Sequence, residues 1–317
     1  MRIVFAGTPN AAVPTLRALA DGPHEVVMAV TRPDAPLGRK RVLTPSPVAQ
    51  AATELGIEVL KTARLDDEAT ERILAAEPEL GVVVAYGALV REPLLSAPAN
   101  GWINLHFSLL PRWRGAAPVQ RALIAGDERT GAAVFRLVPE LDAGDVYDVV
   151  ERAIGPDETA GELLESLAVE GSQLVARVVD GVANGTAAAS PQHGQPTLAP
   201  KLTIEDARLD LAQTARTVYA RLRGVTPEPG AFITVGGVRV KVLRAARSAA
   251  EPVPPGTLRL NGAHAYLGTG TAPLELVTVQ PAGKRQMPAA DWLRGLPAGA
   301  SGDTGRAADD ETAERAS

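Results

Sequence analysis

The sequence predicts an α/β protein: an open, mostly parallel sheet covered by helices, followed by a small C-terminal β-barrel. Three observations carry this. Runs rich in Val, Ile and Leu alternate with helix-forming segments over the first half of the chain, the pattern of a doubly covered parallel sheet. Short strand-like runs separated by turn residues crowd the stretch after residue 230. Between them, residues 190–207 hold Pro191, Gly194, Pro196 and Pro200, which prevent a regular element. The chain is therefore read as a Rossmann-like sheet domain at 1–189, a linker at 190–207, a barrel of the oligonucleotide-binding (OB) type at 208–297 and a tail at 298–317. The tail lacks aromatic and large aliphatic residues and is expected to be disordered.

In chain order, the apolar runs Ile3–Ala6, Val26–Thr31, Val82–Tyr86, Trp102–Phe107 and Ala132–Val138 read as strands. Helices are predicted near 11–21, 47–55, 66–77 and 115–125. Thr159 and Glu162 have capping-box spacing and open a long helix that runs to Asn184. Beyond the linker, Ala207–Arg223 reads as a helix. Ala231–Val235, Val238–Ala245, Gly256–Leu260, Ala265–Gly268 and Leu274–Val279 read as short strands, with Gly236 and Gly237 as a hairpin turn.

With 317 residues and 45% apolar content, the chain can bury a core in each of two domains. It has no cysteine, which excludes disulfides, thiolate metal sites and cysteine nucleophiles. Its histidines, His24, His106, His193 and His264, lack metal-ligand spacing, so no metal is expected. No apolar run reaches the roughly 20 residues of a membrane span. The first residues enter a strand rather than a leader, and a soluble, cytoplasmic monomer is expected. The net charge of −5 conceals a segregation: residues 208–297 hold 12 Lys and Arg against 5 Asp and Glu, whereas residues 1–207 hold 18 against 27. A basic second domain on an acidic chain points to a polyanionic partner there, or to chance segregation.

The chemistry concentrates in Ile103-Asn104-Leu105-His106-Phe107-Ser108-Leu109-Leu110-Pro111-Arg112-Trp113-Arg114-Gly115. A second turn, Leu141-Asp142-Ala143-Gly144-Asp145, follows it. Asn104 and His106 are two apart on one strand and so share a face. An imidazole there can polarise a carbonyl or shuttle a proton, and the amide can donate to an oxyanion. Asp142 can orient the imidazole or accept an amine proton. By itself a strand-end histidine serves structure as readily as chemistry. No serine stands beside a base, so any acyl transfer is expected to be direct. The first βα turn, Phe5-Ala6-Gly7-Thr8-Pro9-Asn10, is not G-x-G-x-x-G, so the dinucleotide fingerprint is absent.

Asn104-Leu105-His106, Ser108-Leu109-Leu110-Pro111 and Leu141-Asp142-Ala143-Gly144-Asp145 resemble the formyltetrahydrofolate-dependent formyltransferase family. Phe5–Pro9, Arg112–Gln120 and Gln280–Lys284 resemble the branch whose acceptor is an aminoacylated tRNA, and the likeness runs from about residue 2 to 297. The resemblance implies transfer of formyl from 10-formyltetrahydrofolate to the α-amine of methionine on initiator tRNA. It implies catalytic roles for Asn104, His106 and Asp142. It implies a folate loop at Ser108, Leu109, Leu110 and Pro111, and a pterin-lining strand end at Val84, Ala85, Tyr86 and Gly87. An amino sugar is the alternative acceptor; it would use the same trio without a basic barrel.

The tRNA is expected to meet Arg39, Lys40 and Arg41, in a loop that is otherwise a solvated one, and Arg216, Arg223 and Lys241 of the barrel. Phe107 stands where the family often has a small residue, Leu198 where Tyr is more usual, and Glu228 where Trp is more usual.

Overall fold

The computed structural model describes residues 1–38, 41–297 and 301–302. The expectations for Arg39, Lys40 and most of the 298–317 tail lie outside the described residues. The chain forms two compact units that interleave along the sequence. The first comprises Met1–Pro118, Arg129–Ala153 and Leu163–Ala199; the second comprises Val119–Glu128, Ile154–Glu162 and the described residues from Pro200 onward.

From the N-terminus, β1 (Arg2–Gly7) leads through a 3₁₀ turn into α1 (Val13–Ala20). β2 (Glu25–Thr31) is followed by a hairpin of β3 (Ala35–Leu37) and β4 (Val42–Thr44), then α2 (Pro47–Glu54), β5 (Val59–Lys61) and α3 (Asp67–Ala75). β6 (Leu80–Val84), β7 (Trp102–His106), α4 (Pro118–Ala125), β8 (Arg129–Arg136), β9 (Val146–Ala153) and α5 (Ala160–Ala183) complete the first half. The starts of α2 and α3 are fixed by side chains: Ser46 accepts from the Ala49 N–H and Asp66 from the Ala69 N–H, each at 3.0 Å. At α5, the Thr159 N–H donates to Glu162 at 2.9 Å, as the capping-box spacing predicts.

The sheet order is β5-β2-β1-β6-β7-β8-β9. The first five strands are parallel, and β8 and β9 run antiparallel to their neighbours. The order reverses at β1, between β2 and β6. A crevice opens beyond the carboxyl ends of strands at such a point, and open α/β sheets use it for ligands. Both faces of the sheet are covered. Val4, Ala6, Val30, Val83 and Trp102 form one buried cluster with Ala69 and Ile73 of α3. On the other face, α5 lies so close to β7 that a Cβ at Gly171 would sit 2.8 Å from the Leu105 side chain.

In the second unit, α6 (Ala215–Gly224) precedes β10 (Phe232–Val235), β11 (Val238–Arg247), β12 (Leu258–Asn261), β13 (His264–Leu267), β14 (Leu274–Pro281), β15 (Met287–Pro288) and α7 (Ala289–Arg294). The strands form an antiparallel sheet in the order β10-β11-β14-β13-β12, with β15 on β14. Its core gathers Leu209, Leu211, Leu222, Phe232, Val240, Leu276 and Trp292, with Ile124 packed against it. Gly236 and Gly237 both adopt positive φ, which the β10–β11 hairpin turn requires.

Several features differ from the sequence reading, among them the β3–β4 hairpin in a segment read as a loop. β5 and β15 have three and two residues, too few to show alternation. β9 is an edge strand carrying Asp148, Glu151 and Arg152, so it gives no apolar run. β6 stops at Val84 because Ala85 takes φ 47°. α6 begins at Ala215 rather than Ala207, because Leu209 instead pairs its N–H with the Phe232 carbonyl at 3.0 Å. α7 was not anticipated, being only six residues long.

Trp102 ties β7 to the loop before it: it is 1% exposed and its indole N–H donates to the Leu94 carbonyl at 2.8 Å. Trp102→Ala is expected to destabilise the protein by about 3–5 kcal/mol, read as a lowered urea midpoint; a midpoint within error of the parent would show that β7 is not anchored this way.

Candidate active site

β7 presents Asn104 and His106 on the face that also carries Trp102, and pairs them with Phe135 and Ala133 of β8. Asn104 Oδ1 is buried and has no hydrogen-bond partner among the described residues. A buried polar atom left unpaired costs about 1–3 kcal/mol, and as an amide oxygen it can accept from an incoming donor.

The His106 ring is 5% exposed and meets Phe135 edge-on, with centroids 6.3 Å apart. Its Nε2 lies 2.8 Å from the Trp113 carbonyl oxygen. A carbonyl only accepts, so Nε2 carries the proton and Nδ1 of the neutral ring carries the lone pair. Nδ1 faces Asp142 Oδ2 at 3.8 Å. Burial holds the imidazole below the ordinary histidine range; the Asp142 carboxylate and the Trp113 carbonyl offset part of that. The ring is therefore neutral at neutral pH. It offers an acceptor to the site, whereas the sequence reading also gave it a donor role toward an oxyanion. Donation becomes possible only after Nδ1 has taken a proton.

Asp142 sits at φ 46°, an uncommon backbone for a non-glycine residue. Its Oδ2 accepts from the Gly115 N–H at 2.7 Å. Two glycines make this approach possible. Gly115 has φ 120°, and a Cβ there would lie 2.8 Å from the Ala199 carbonyl oxygen. A Cβ at Gly144 would lie 1.8 Å from the Arg136 carbonyl oxygen.

Residues 190–199, read from sequence as linker, lie across both loops. Ser190 and Val146 exchange backbone hydrogen bonds at 2.8 and 2.9 Å. Thr197 Oγ1 accepts from the Trp113 N–H at 2.9 Å, and the Thr197 carbonyl accepts from the Arg114 N–H at 2.9 Å. Gln192 reaches both loops with its amide. Sequence reasoning passed over Gln192, Thr197 and Gly115 as site residues. Their signal was only a polar side chain or glycine in an aperiodic stretch.

The remaining expected residues are distributed unevenly. Ala85 and Gly87 are exposed with positive φ. Val84 and Tyr86 are buried, and the Tyr86 ring packs in the sheet core. Ser108 is buried and donates to the Arg112 carbonyl at 2.6 Å, closing its own loop; Pro111 is buried and Leu109 and Leu110 are half-buried. Phe107 is buried. Leu198 and Glu228 are exposed.

In the second unit, Arg216 and Lys241 are exposed, and Arg216 lies 3.5 Å from Glu128. Arg223 is half-buried, donating to the Gly155 and Glu158 carbonyls at 3.1 Å and stacking over Tyr219. Arg41, in the turn of the β3–β4 hairpin, is exposed. Among the described residues no group of three or more His, Asp or Glu is placed to hold a metal, and no helix is long and apolar enough to cross a membrane.

Two acceptors, Nδ1 and Oδ2, thus stand 3.8 Å apart, with half-buried Asn104 two residues before His106 on the same strand. One N–H donor can reach both at ordinary hydrogen-bond length.

The formyl transferase model matches residues 1–179, and the formyl transferase C-terminal domain model matches residues 201–297. The methionyl-tRNA formyltransferase of Leifsonia xyli subsp. xyli (strain CTCB07) is 63% identical over 295 residues, which is 93% of this chain and 97% of that one. Among solved structures, the methionyl-tRNA formyltransferase of Clostridium thermocellum matches at TM-score 0.56 and 14% identity, covering 79% of this chain and 95% of that one. The N-formyltransferase of Helicobacter canadensis, in complex with folinic acid and dTDP-3-aminofucose, matches at TM-score 0.67 and 14% identity, covering 86% and 98%. At such identities the solved structures share the fold.

The burial of His106 has a consequence for stability. Its folded-state value lies below the unfolded one, so the unfolded chain binds the proton more readily. The contribution is complete above about pH 6.5 and is lost as pH falls below it. His106→Gln is expected to lose less stability than the parent between about pH 7.5 and pH 5.5 in urea titrations; equal losses would contradict a buried neutral ring.

Proposed function

We propose that this chain, which belongs to the formyl transferase family, transfers the formyl group of 10-formyltetrahydrofolate to the α-amine of methionine carried by initiator tRNA. The relative that is 63% identical over nearly the full length of both chains carries methionyl-tRNA in its name. The observation that carries the chemistry is the pair of acceptors, His106 Nδ1 and Asp142 Oδ2, at 3.8 Å beside Asn104.

The residues present fit a folate donor. Asn104, whose Oδ1 is unpaired, lies opposite Val83 near the carboxyl end of β6, and the exposed Ala85 and Gly87 follow that strand. The donor, when bound, supplies a formyl carbon on a nitrogen that can leave. The chain does the rest. Asp142 and His106 accept the N–H groups of a neutral amine and aim its lone pair. His106 takes the amine proton at Nδ1, stabilised by the Asp142 carboxylate, and holds it for the departing nitrogen. Asn104 donates to the oxygen that gains negative charge; one donor of this kind contributes about 3–4 kcal/mol. Fixing amine and formyl carbon in contact supplies a further large part of the acceleration.

The antiparallel sheet of the second unit is proposed to be an OB-type barrel that tracks the tRNA. Ser301 bridges Thr257, and Gly302 bridges Val235 of β10, which supports closure. Exposed Arg216, Lys241, Arg244 and Arg247 would meet phosphates, giving affinity by backbone and shape. Arg41 and the β3–β4 hairpin would meet the acceptor end. Arg223, committed to carbonyls of its own unit, would act by supporting this surface. The reaction is assigned to a cytoplasmic monomer.

Single-turnover transfer from labelled 10-formyltetrahydrofolate to methionyl initiator and methionyl elongator tRNA tests this. Transfer to the initiator alone is expected, and His106→Ala and Asp142→Asn should each slow it by about 10²–10⁴-fold. Transfer to an amino sugar in preference to the tRNA would overturn the acceptor assignment.

A further inference from the structure

Gln192 occupies a place that the trio does not explain. Its Oε1 accepts from Arg114 Nε at 3.1 Å and from Arg114 Nη2 at 2.6 Å. Its Nε2 donates to the Asp142 carbonyl at 2.8 Å and to the Gly144 carbonyl at 2.9 Å. Both ends of the amide are thus used, one on each of two loops. The Arg114 loop carries the Trp113 carbonyl that sets the His106 tautomer and the Gly115 N–H that holds Asp142. The Asp142 turn carries the carboxylate. A direct tie between those loops, apart from Gln192, is the Gly115–Asp142 hydrogen bond, which uses the carboxylate oxygen that also faces Nδ1. A clamp that grips the Asp142 turn through its backbone leaves the second carboxylate oxygen uncommitted by the clamp.

We infer that Gln192 is a positioning residue for the formyl transfer: its side-chain amide clamps the Arg114 loop to the Asp142 turn and thereby sets the separation of His106 Nδ1 and Asp142 Oδ2. The inference rests on the reaction proposed above. The clamp needs an amide. A glutamate of the same shape keeps the acceptor for Arg114 but turns a carboxylate oxygen toward two carbonyl oxygens, which repel it. Alanine removes both ends. Both ends of the amide are committed to protein groups, so loss of the clamp is expected to act on the rate of the chemical step rather than on binding.

The test compares the full-length parent with Gln192→Ala and Gln192→Glu in formyl transfer to methionyl initiator tRNA, and follows amide hydrogen exchange at Gly115. The expected result for Gln192→Ala is a kcat lower by about 10–100-fold with both KM values within about twofold. Gly115 should exchange faster while Leu105 and Val134 in the sheet keep parent rates, which separates a loosened site from a loosened fold. Gln192→Glu should fall at least as far as Gln192→Ala. Parent-like kcat in Gln192→Ala, or restoration by Gln192→Glu, would overturn the clamp. A parent chain that transfers no formyl group would overturn the reaction itself; unchanged Gly115 exchange in Gln192→Ala would then still overturn the clamp, and faster exchange would support it.

Discussion

The 2.8 Å contact between His106 Nε2 and the Trp113 carbonyl decides which imidazole nitrogen is free, and the site's chemistry follows from that choice. With Nε2 protonated and the ring buried, Nδ1 is a lone pair aimed at a carboxylate. Two acceptors facing each other at 3.8 Å repel weakly until a donor arrives. An amine supplies that donor, so the arrangement favours what it is built to receive. The tautomer in turn depends on backbone: Trp113 has φ 62° and Gly115 φ 120°. Such conformations persist only where neighbours over-determine them. Here the neighbours are Thr197, Ala199 and the Asp142 carboxylate.

The sheet explains why the site stands where it does. β6 and β7 are parallel and adjacent, so their carboxyl ends open on the same side beside the reversal at β1. β8 returns antiparallel and ends at Arg136 opposite Ile103, after which the chain doubles back so that Asp142 meets the Gly115 N–H. Rigid strands thus carry Asn104 and His106, while tied loops carry Asp142 and Trp113. A strand fixes position more strictly than a free loop does, and the strap at 190–199 compensates for the difference.

Much of this was legible in sequence, for definite reasons. Trp102–His106 is apolar enough to read as a strand, and a spacing of two puts Asn104 and His106 on one face whatever the tertiary structure. Gly144 beside Asp142 signalled a turn. The unread parts share a cause: they depend on pairing between distant segments. Gln192 is 50 residues from Asp142, and nothing local in Pro191-Gln192-His193-Gly194 betrays its partners. The His106 tautomer depends on a carbonyl seven residues away whose direction is set by Thr197. The resemblance implies a pterin-lining strand end that includes Tyr86; its ring packs in the sheet core, a contact that local sequence does not show.

The central claim, that neutral His106 presents a lone pair at Nδ1, is tested most directly by the imidazole ¹⁵N shifts of His106 in the unliganded protein at neutral pH. The account predicts an Nδ1 resonance of the unprotonated type and a protonated Nε2. A protonated Nδ1 with a bare Nε2 would contradict it, since the ring would then donate to Asp142 and could not take a proton from the amine.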